Sequence, residues 1–196
     1  HIRPDGDNLM EVNENAKVSE DLYQGDIVLT DDQMDALEAS LNGTTLRAKR
    51  QALADNVNAK WSTFYYSFDS GLPESQRRVF RIAAKYWNDN LCVNFIESYT
   101  ATPRVNVIYG NGCYSNLGLL NRQTQDLSLG KGCDSVGTAL HEIGHALGFF
   151  HEQSRFDRDD AIQVMTQNVM DGWLDQFNKQ SQSMNNNHGM PYDYGS

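Results

Sequence analysis

The spacing of apolar residues along the chain predicts a mixture of helices and strands. After Pro73, apolar residues recur three and four positions apart, which is the spacing of one face of an amphipathic helix. This spacing, or a run of good helix formers, predicts helices at 31–41, 73–87 and 135–148. Clustered or alternating β-branched and aromatic residues predict strands at 61–68, 91–95 and 105–109. Residues 1–30 show no sustained period, and their composition indicates a loop or a partly disordered chain.

Acidic charge is concentrated at the beginning of the chain. The 196 residues carry a net charge of −10, and residues 1–43 account for −9 of it. The remainder is nearly neutral and is long enough for a single domain of about 150 residues. An acidic chain without a basic stripe is a poor nucleic-acid binder, and no run of about 18 apolar residues predicts a membrane span. The charge pattern therefore predicts an acidic appendage on a neutral domain.

Three of the five histidines lie within eleven residues and have the spacing of metal ligands. His141 and His145 are four apart, so a helix presents both imidazoles on one face. Gly148 can take a positive φ, end the helix and return His151 toward the same ion. Three neutral imidazoles leave zinc one open position, which is typical of a catalytic site.

Glu142 is the candidate general base, because its carboxylate lies beside the first ligand and can reach water in the open zinc position. A lone His-Glu-x-x-His can arise by chance on a surface helix. The fitting offsets of Gly148 and His151 favour the metal site over that alternative.

Cysteine usage leaves the cellular compartment open. Cys113 and Cys133 enclose a 19-residue loop rich in Gly, Asn and Gln, which suits a disulfide, whereas Cys92 lies in an apolar run. From the cysteine count alone, three buried thiols in a cytosolic protein are an equal alternative. Asn42 begins an Asn-Gly-Thr triplet, which is a glycosylation candidate only if the chain is secreted.

The residues that follow His151 resemble the signature of the astacin family of metzincin zinc endopeptidases. In HEQSRFDRD, from His151 to Asp159, the third histidine is followed by Glu and then by the Arg-x-Asp-Arg-Asp run typical of that family. Residues 112–115 and 128–133 resemble the two ends of its disulfide loop, which implies a bridge between Cys113 and Cys133. The resemblance extends from about Gln51 to Ser196.

This resemblance implies a fold and an activity. The fold is α+β: a metzincin-type catalytic domain with a mixed twisted sheet and a long zinc-binding helix, preceded by an extended pro-segment with a short helix. The activity is that of a secreted, extracellular endopeptidase with one catalytic Zn²⁺ ion, acting on proteins or peptides. An extended substrate peptide is expected to pair antiparallel with an edge strand near 105–109, with Tyr109, Cys113 and Tyr114 in the cleft.

The acidic segment resembles the pro-segment of astacin proenzymes. Tyr23-Gln24-Gly25-Asp26 matches their aromatic-x-Gly-Asp motif, whose aspartate occupies the open zinc position. The resemblance implies that Asp26 is a fourth zinc ligand in the latent form only.

A basic cluster at 47–50 predicts cleavage near Arg50 by a trypsin-like or furin-like protease, although such a cluster also suits an exposed helix end. Cleavage would divide the chain into a pro-segment, 1–50, and a catalytic domain, 51–196. The new N-terminus at Gln51 or Ala52 is expected to pair with Glu152.

The chain departs from the family pattern at two places. Tyr192-Asp193-Tyr194-Gly195-Ser196 resembles the segment that precedes the family's methionine-containing turn, so that turn and a cysteine partner for Cys92 are expected beyond it. Residues 119–122 also replace a usually Gly-rich stretch at the cleft rim. Two alternatives stay open: another metzincin branch, disfavoured by the residues after His151, and a non-catalytic zinc-binding module, disfavoured by Glu142.

Overall fold

The computed structural model describes residues 8–41, 60–120, 122–182 and 184–194. Asn42, Arg50, Gln51 and Ala52 lie outside these ranges, so the glycosylation candidate and the processing site stay predictions. The chain forms two compact units, residues 1–28 with 58–149 and residues 29–57 with 150–196.

The first unit is built on a six-stranded mixed sheet. Its strands are β1 (Ile27–Val28), β2 (Thr63–Phe68), β3 (Asn94–Glu97), β4 (Arg104–Ile108), β5 (Cys113–Asn116) and β6 (Thr124–Leu129). Their spatial order is β1-β5-β6-β4-β2-β3, with β5 and β6 antiparallel and all other neighbours parallel. This mixed sheet, together with the helices, confirms the predicted α+β class.

Four α-helices complete the regular structure of the described ranges. They are α1 (Leu9–Asn15), α2 (Asp31–Leu41), α3 (Glu74–Asn90) and α4 (Val136–Leu147). Pro73 precedes the first turn of α3, where its missing N–H costs no hydrogen bond. Because α3 runs to Asn90, the strand predicted at 91–95 begins later, at Asn94. None of the helices in these ranges is long and apolar enough to cross a bilayer.

Within the segment 1–30, the described residues 8–30 contain more structure than their composition predicts. α1, a 3₁₀ turn at Ser19–Asp21 and the short strand β1 all lie in this segment. Val12 joins the core of the first unit, and Ile27 is fully buried. Burial of these few apolar side chains, and not a local period, stabilises the segment, which is why the predicted loop was wrong.

The strand at 104–108 was wrongly predicted to be an edge. β4 is paired on both sides, with β2 and with β6, and its Val105 and Val107 are fully buried. A strand whose two edges are both hydrogen-bonded cannot accept a further peptide. β5 lies nearer the edge and carries only β1 on its outer side.

An aromatic cluster packs α3 against the sheet and also helps to fix α4. The ring centroids of Tyr66 and Phe80 are 5.0 Å apart, and those of Phe68 and Phe80 are 5.7 Å apart. Two indole N–H groups reach α4: Trp61 donates to the Ala146 carbonyl at 2.8 Å, and Trp87 donates to the Leu140 carbonyl at 3.1 Å. These bonds fix the helix that carries the candidate zinc ligands.

In the second unit, the buried side chain of Arg155 organises residues 152–158 and 190–191. Its guanidinium donates to Asp157 at 2.9 Å, to Glu152 at 2.8 Å, and to the carbonyls of Met190 and Pro191 at 2.9 and 3.0 Å. The hydrogen bonds from Arg155 hold the pKa of Asp157 below its ordinary value. The carboxylates raise the pKa of Arg155 further, mainly through Asp157.

Candidate metal centre

The helix α4 presents two imidazoles on one face. Ser135 caps its N-terminus by accepting a hydrogen bond from the Thr138 N–H at 3.0 Å. His141 and His145 are one turn apart, and their Nε2 atoms lie 2.9 Å from each other. The predicted i, i+4 pairing of these side chains is therefore present.

The turn after α4 fixes the orientation of the His145 ring. Gly148 has φ +107°, and the Phe149 N–H then donates to the Gly144 carbonyl at 3.0 Å, which is a Schellman ending. The same turn brings the Phe149 carbonyl within 2.7 Å of His145 Nδ1. Because a carbonyl only accepts, Nδ1 is the nitrogen that donates to it, which leaves Nε2 as the nitrogen directed at His141 and Asp26.

Asp26 is carried to these imidazoles by a tight hairpin. The backbones of Tyr23 and Ile27 exchange hydrogen bonds of 2.9 and 3.1 Å, and Gln24 and Gly25 between them have φ +48° and +84°. A glycine at the second position suits this left-handed conformation. The Asp26 carboxylate is buried, with Oδ2 2.9 Å from His141 Nε2 and 3.5 Å from His145 Nε2.

The donor set fits a zinc ion. Asp26, His141 and His145, all in the first unit, each offer one ligand atom, and these atoms lie within 4.8 Å of one another. The third predicted histidine, His151, belongs to the second unit. A carboxylate oxygen and imidazole nitrogens that converge at this separation suit a shared cation, and this combination of ligands is one that Zn²⁺ accepts. The residues present are thus able to hold the metal that the sequence predicted.

Glu142 is completely buried next to these ligands. Its relative exposure is 0%, and neither carboxylate oxygen has a hydrogen-bond partner among the described residues. Burial, and secondarily the charge of Asp26, raises the pKa of Glu142 well above its ordinary value. A buried carboxyl without partners costs stability, so its retention here points to a chemical role and not a structural one.

Two of the three residues predicted to line the cleft lie on β5. Cys113 and Tyr114 are its first two residues, and Cys113 forms a disulfide with Cys133, as predicted. The third, Tyr109, follows β4 and is exposed. β1 covers the outer edge of β5, with Ile27 opposite Ser115 and Val28 opposite Asn116.

Two other predicted residues have specific environments in the structure. Glu152 accepts hydrogen bonds from Arg155 at 2.8 Å and from the Asp193 N–H at 2.9 Å. Cys92 is exposed and forms no disulfide within the described residues, although its neighbours in sequence are apolar.

One residue near the site was missed at the sequence level. Asn13, in α1, is fully buried and bonded to Gly25 and Cys113. A single Asn in a segment rich in Asp, Glu and Asn carries no periodic or motif signal, so only its neighbours in space reveal it.

The fold and donor set define a class of zinc metalloproteinase domains in which a His-Glu-x-x-His helix backs a mixed sheet. The sequence model of the astacin peptidase family matches residues 53–196, and the chain belongs to this family.

Known proteins of this family resemble the chain closely. It is 44% identical to zinc metalloproteinase nas-31 and 43% identical to zinc metalloproteinase nas-34, both of Caenorhabditis elegans, over 100% and 89% of its own length. It spans 33% and 32% of those proteins, so about a third of their length. High choriolytic enzyme 1, a hatching-enzyme zinc protease of Oryzias latipes, superimposes with a TM-score of 0.63 at 31% identity, covering 70% of this chain and 71% of that one.

Proposed function

We propose that the chain is the pro-segment and part of the catalytic domain of a secreted, latent zinc endopeptidase, with Asp26 as the inhibitory ligand. The observation that carries the proposal is the position of the Asp26 carboxylate, 2.9 Å from His141 Nε2 and 3.5 Å from His145 Nε2. A carboxylate oxygen in this position takes the place that a nucleophilic water needs. The proposed division is a pro-segment at 1–50 and a catalytic domain at 51–196.

The chemistry after removal of Asp26 follows from the surrounding side chains. When bound, zinc supplies a Lewis acid that polarises the scissile carbonyl and lowers the pKa of water. Glu142 takes a proton from the attacking water and delivers it to the leaving amine. Its raised pKa suits both transfers, because a carboxyl group that protonates nearer neutral pH returns the proton more readily.

The substrate is proposed to bind along β5 in place of β1. A peptide added to a sheet edge gains backbone hydrogen bonds that do not depend on its side chains, which suits an enzyme acting on proteins or peptides. In the present structure β1 occupies that edge in parallel orientation. The pro-segment thus competes with substrate twice, at the metal and at the edge.

Activation is proposed to follow cleavage near Arg50 by a trypsin-like or furin-like protease. The ammonium group of Gln51 or Ala52 would then join Glu152. Glu152 already has Arg155 and the Asp193 N–H as partners, so the incoming ammonium would share or replace one of them. Secretion is supported by the Cys113–Cys133 disulfide, since such bonds persist in oxidising compartments.

The proposal is tested on the full-length protein that contains this chain. It is treated with a trypsin-like protease, the new N-terminus is identified by mass, and cleavage of a protein substrate is followed with and without a zinc chelator. Chelator-sensitive activity that appears only after a cut near Arg50 is the expected result. Zinc binding without any activity after that cut would favour the non-catalytic alternative.

A further inference from the structure

Asn13 occupies a position that is unusual for a polar side chain. It lies in α1 with 0% exposure. Its Nδ2 donates to the Cys113 carbonyl at 2.6 Å and to the Gly25 carbonyl at 2.8 Å, and its Oδ1 accepts from the Cys113 N–H at 2.7 Å. Both amide protons and the amide oxygen are therefore used on backbone groups.

The pairing with Cys113 imitates a β-ladder. Backbone groups of residues two apart in a strand point to the same edge, so Cys113 and Ser115 both face outward from β5. At Ser115 the partner is the main chain of the pro-segment, because the Ser115 N–H donates to the Asp26 carbonyl at 3.0 Å. At Cys113 the partner is the side-chain amide of Asn13, which supplies one donor and one acceptor as a strand residue would.

The same amide is coupled to the position of Asp26. Asn13 donates to the carbonyl of Gly25, which is the middle residue of the hairpin turn 24–26 and directly precedes Asp26. Cys113 is itself anchored by its disulfide to Cys133 and by pairing with β6. Asn13 thus ties the turn that carries Asp26 to a rigid point of the sheet.

The neighbouring residues of the sheet are shaped to receive this part of the pro-segment. A Cβ at Gly112 would lie 2.6 Å from Asn13 Oδ1 and 2.9 Å from Val18 Cγ2, so only glycine leaves room for them. The side chain of Asn111 donates to the Ala16 carbonyl at the end of α1, at 2.6 Å. Three successive residues, 111 to 113, therefore contact the α1 region.

We propose that Asn13 is a positioning residue for latency: its amide fastens the pro-segment to the β5 edge at Cys113 and holds the turn that aims Asp26 at the zinc ligands. This inference rests on the proposed function of Asp26 and adds the residue on which that function depends. Asparagine is specifically required, because aspartate has the same shape but no amide protons for the two carbonyls.

The test compares variants of the unprocessed full-length protein. Asn13→Leu removes all three hydrogen bonds and leaves the backbone groups of Cys113 without them, and Asn13→Asp removes the donors at constant shape. Asn15→Leu, on the exposed side of the same helix, is the matched control. Asp26→Ala, which removes the proposed inhibitory carboxylate, is the reference for complete loss of latency.

Both Asn13 variants are expected to raise peptidase activity before processing by about tenfold or more, since each loses buried hydrogen bonds that hold the turn before Asp26. Asn15→Leu is expected to stay as latent as the unchanged protein. After processing, which removes residue 13, all of these proteins are expected to have the same kcat/KM. Among Asn13→Leu, Asn13→Asp, Asn15→Leu and the unchanged protein, all unprocessed, deuterium uptake in peptides covering 113–116 is expected to be faster only in the two Asn13 variants.

The outcomes separate this inference from the proposed function. If Asp26→Ala is active before processing but both Asn13 variants stay as latent as Asn15→Leu, the positioning role is wrong and the function of Asp26 stands. If the processed unchanged protein is inactive, the proposed function fails. Independently of activity, unchanged deuterium uptake at 113–116 in Asn13→Asp would show that Asn13 does not fasten the pro-segment to β5. Asn13→Asp decides the matter if Asn13→Leu does not fold.

Discussion

His145 shows how one backbone carbonyl sets the chemistry of a metal ligand. The Phe149 carbonyl accepts from Nδ1, so Nε2 is directed to the side where His141 and Asp26 also converge. A ligand held by a partner on its other nitrogen needs no tautomer change on metal binding. Glu142 differs from these residues in having no partner for either oxygen within the described ranges. The presence or absence of hydrogen-bond partners therefore distinguishes the candidate ligand His145 from the candidate base Glu142.

Glu142→Gln is expected to abolish most activity without loss of zinc. Glutamine has nearly the same shape but cannot take a proton, so kcat of the processed enzyme should fall by about 10²–10⁴-fold. Glu74→Gln, at an exposed position on α3, is the control and should change neither property. The measurements are peptide hydrolysis and bound zinc per molecule. A parallel loss of zinc would show that Glu142 acts through the metal site and not as the base.

At the scale of elements, the end of α4 performs two tasks with one conformation. Gly148 stops the helix in the left-handed region, and this turn places the Phe149 carbonyl on His145. Helix termination and ligand orientation are therefore coupled, so a change in the turn should affect both stability and metal binding.

Gly148→Ala is expected to destabilise the protein, while Gly137→Ala in the same helix is not. A Cβ at φ +107° is strained and should cost about 1–2 kcal/mol in the free energy of unfolding. Gly137 has ordinary φ and only an ordinary contact at 3.8 Å, so alanine there should be neutral or stabilising by up to about 1 kcal/mol. Denaturant unfolding of the two variants measures this difference. Equal effects at both positions would contradict the role of the turn.

The segment around Arg155 is expected to be acid-sensitive through Asp157. Its pKa is lowered in the folded state by hydrogen bonds from Arg155, so the stabilisation is fully present above the ordinary pKa near 4 and is lost as the pH falls through the lowered value. Asp157→Asn should therefore lower the free energy of unfolding at pH 7 by about 1 kcal/mol, a figure reduced for partial exposure.

The difference between Asp157→Asn and the unchanged protein should shrink progressively below about pH 4 and vanish only below the lowered folded-state pKa, where the carboxyl group is protonated in both folded and unfolded states. Asp171→Asn, at an exposed position, is the control. Unfolding curves at pH 7 and in acid give the comparison. A constant difference across this range would show that the charge of Asp157 contributes nothing.

At the scale of the molecule, what the sequence predicted depended on the range of the interactions involved. α4, its ending at Gly148 and the spacing of His141 and His145 follow from local periodicity and turn chemistry, so they were predictable. The order of the strands depends on pairings between distant segments, which is why β4 was mistaken for an edge. α1 and Asn13 escaped notice for the same reason, since their stabilising contacts lie about a hundred residues away in sequence.

The position of Asp26 also predicts how firmly the whole protein retains its metal. On the proposed function, the donor set includes the Asp26 carboxylate before processing, and removal of the proposed pro-segment would leave only imidazoles from this set. Zinc should therefore pass to a chelator at least about tenfold faster from the processed protein and from unprocessed Asp26→Ala, because one anionic ligand is lost. Unprocessed Asp21→Ala, which removes an exposed carboxylate five residues earlier, should release zinc as slowly as the unchanged protein. Release is followed with a coloured chelator, independently of peptidase activity. Equal rates for Asp26→Ala and Asp21→Ala would exclude Asp26 as a zinc ligand, and latency would then have to arise from the covered edge of β5 alone.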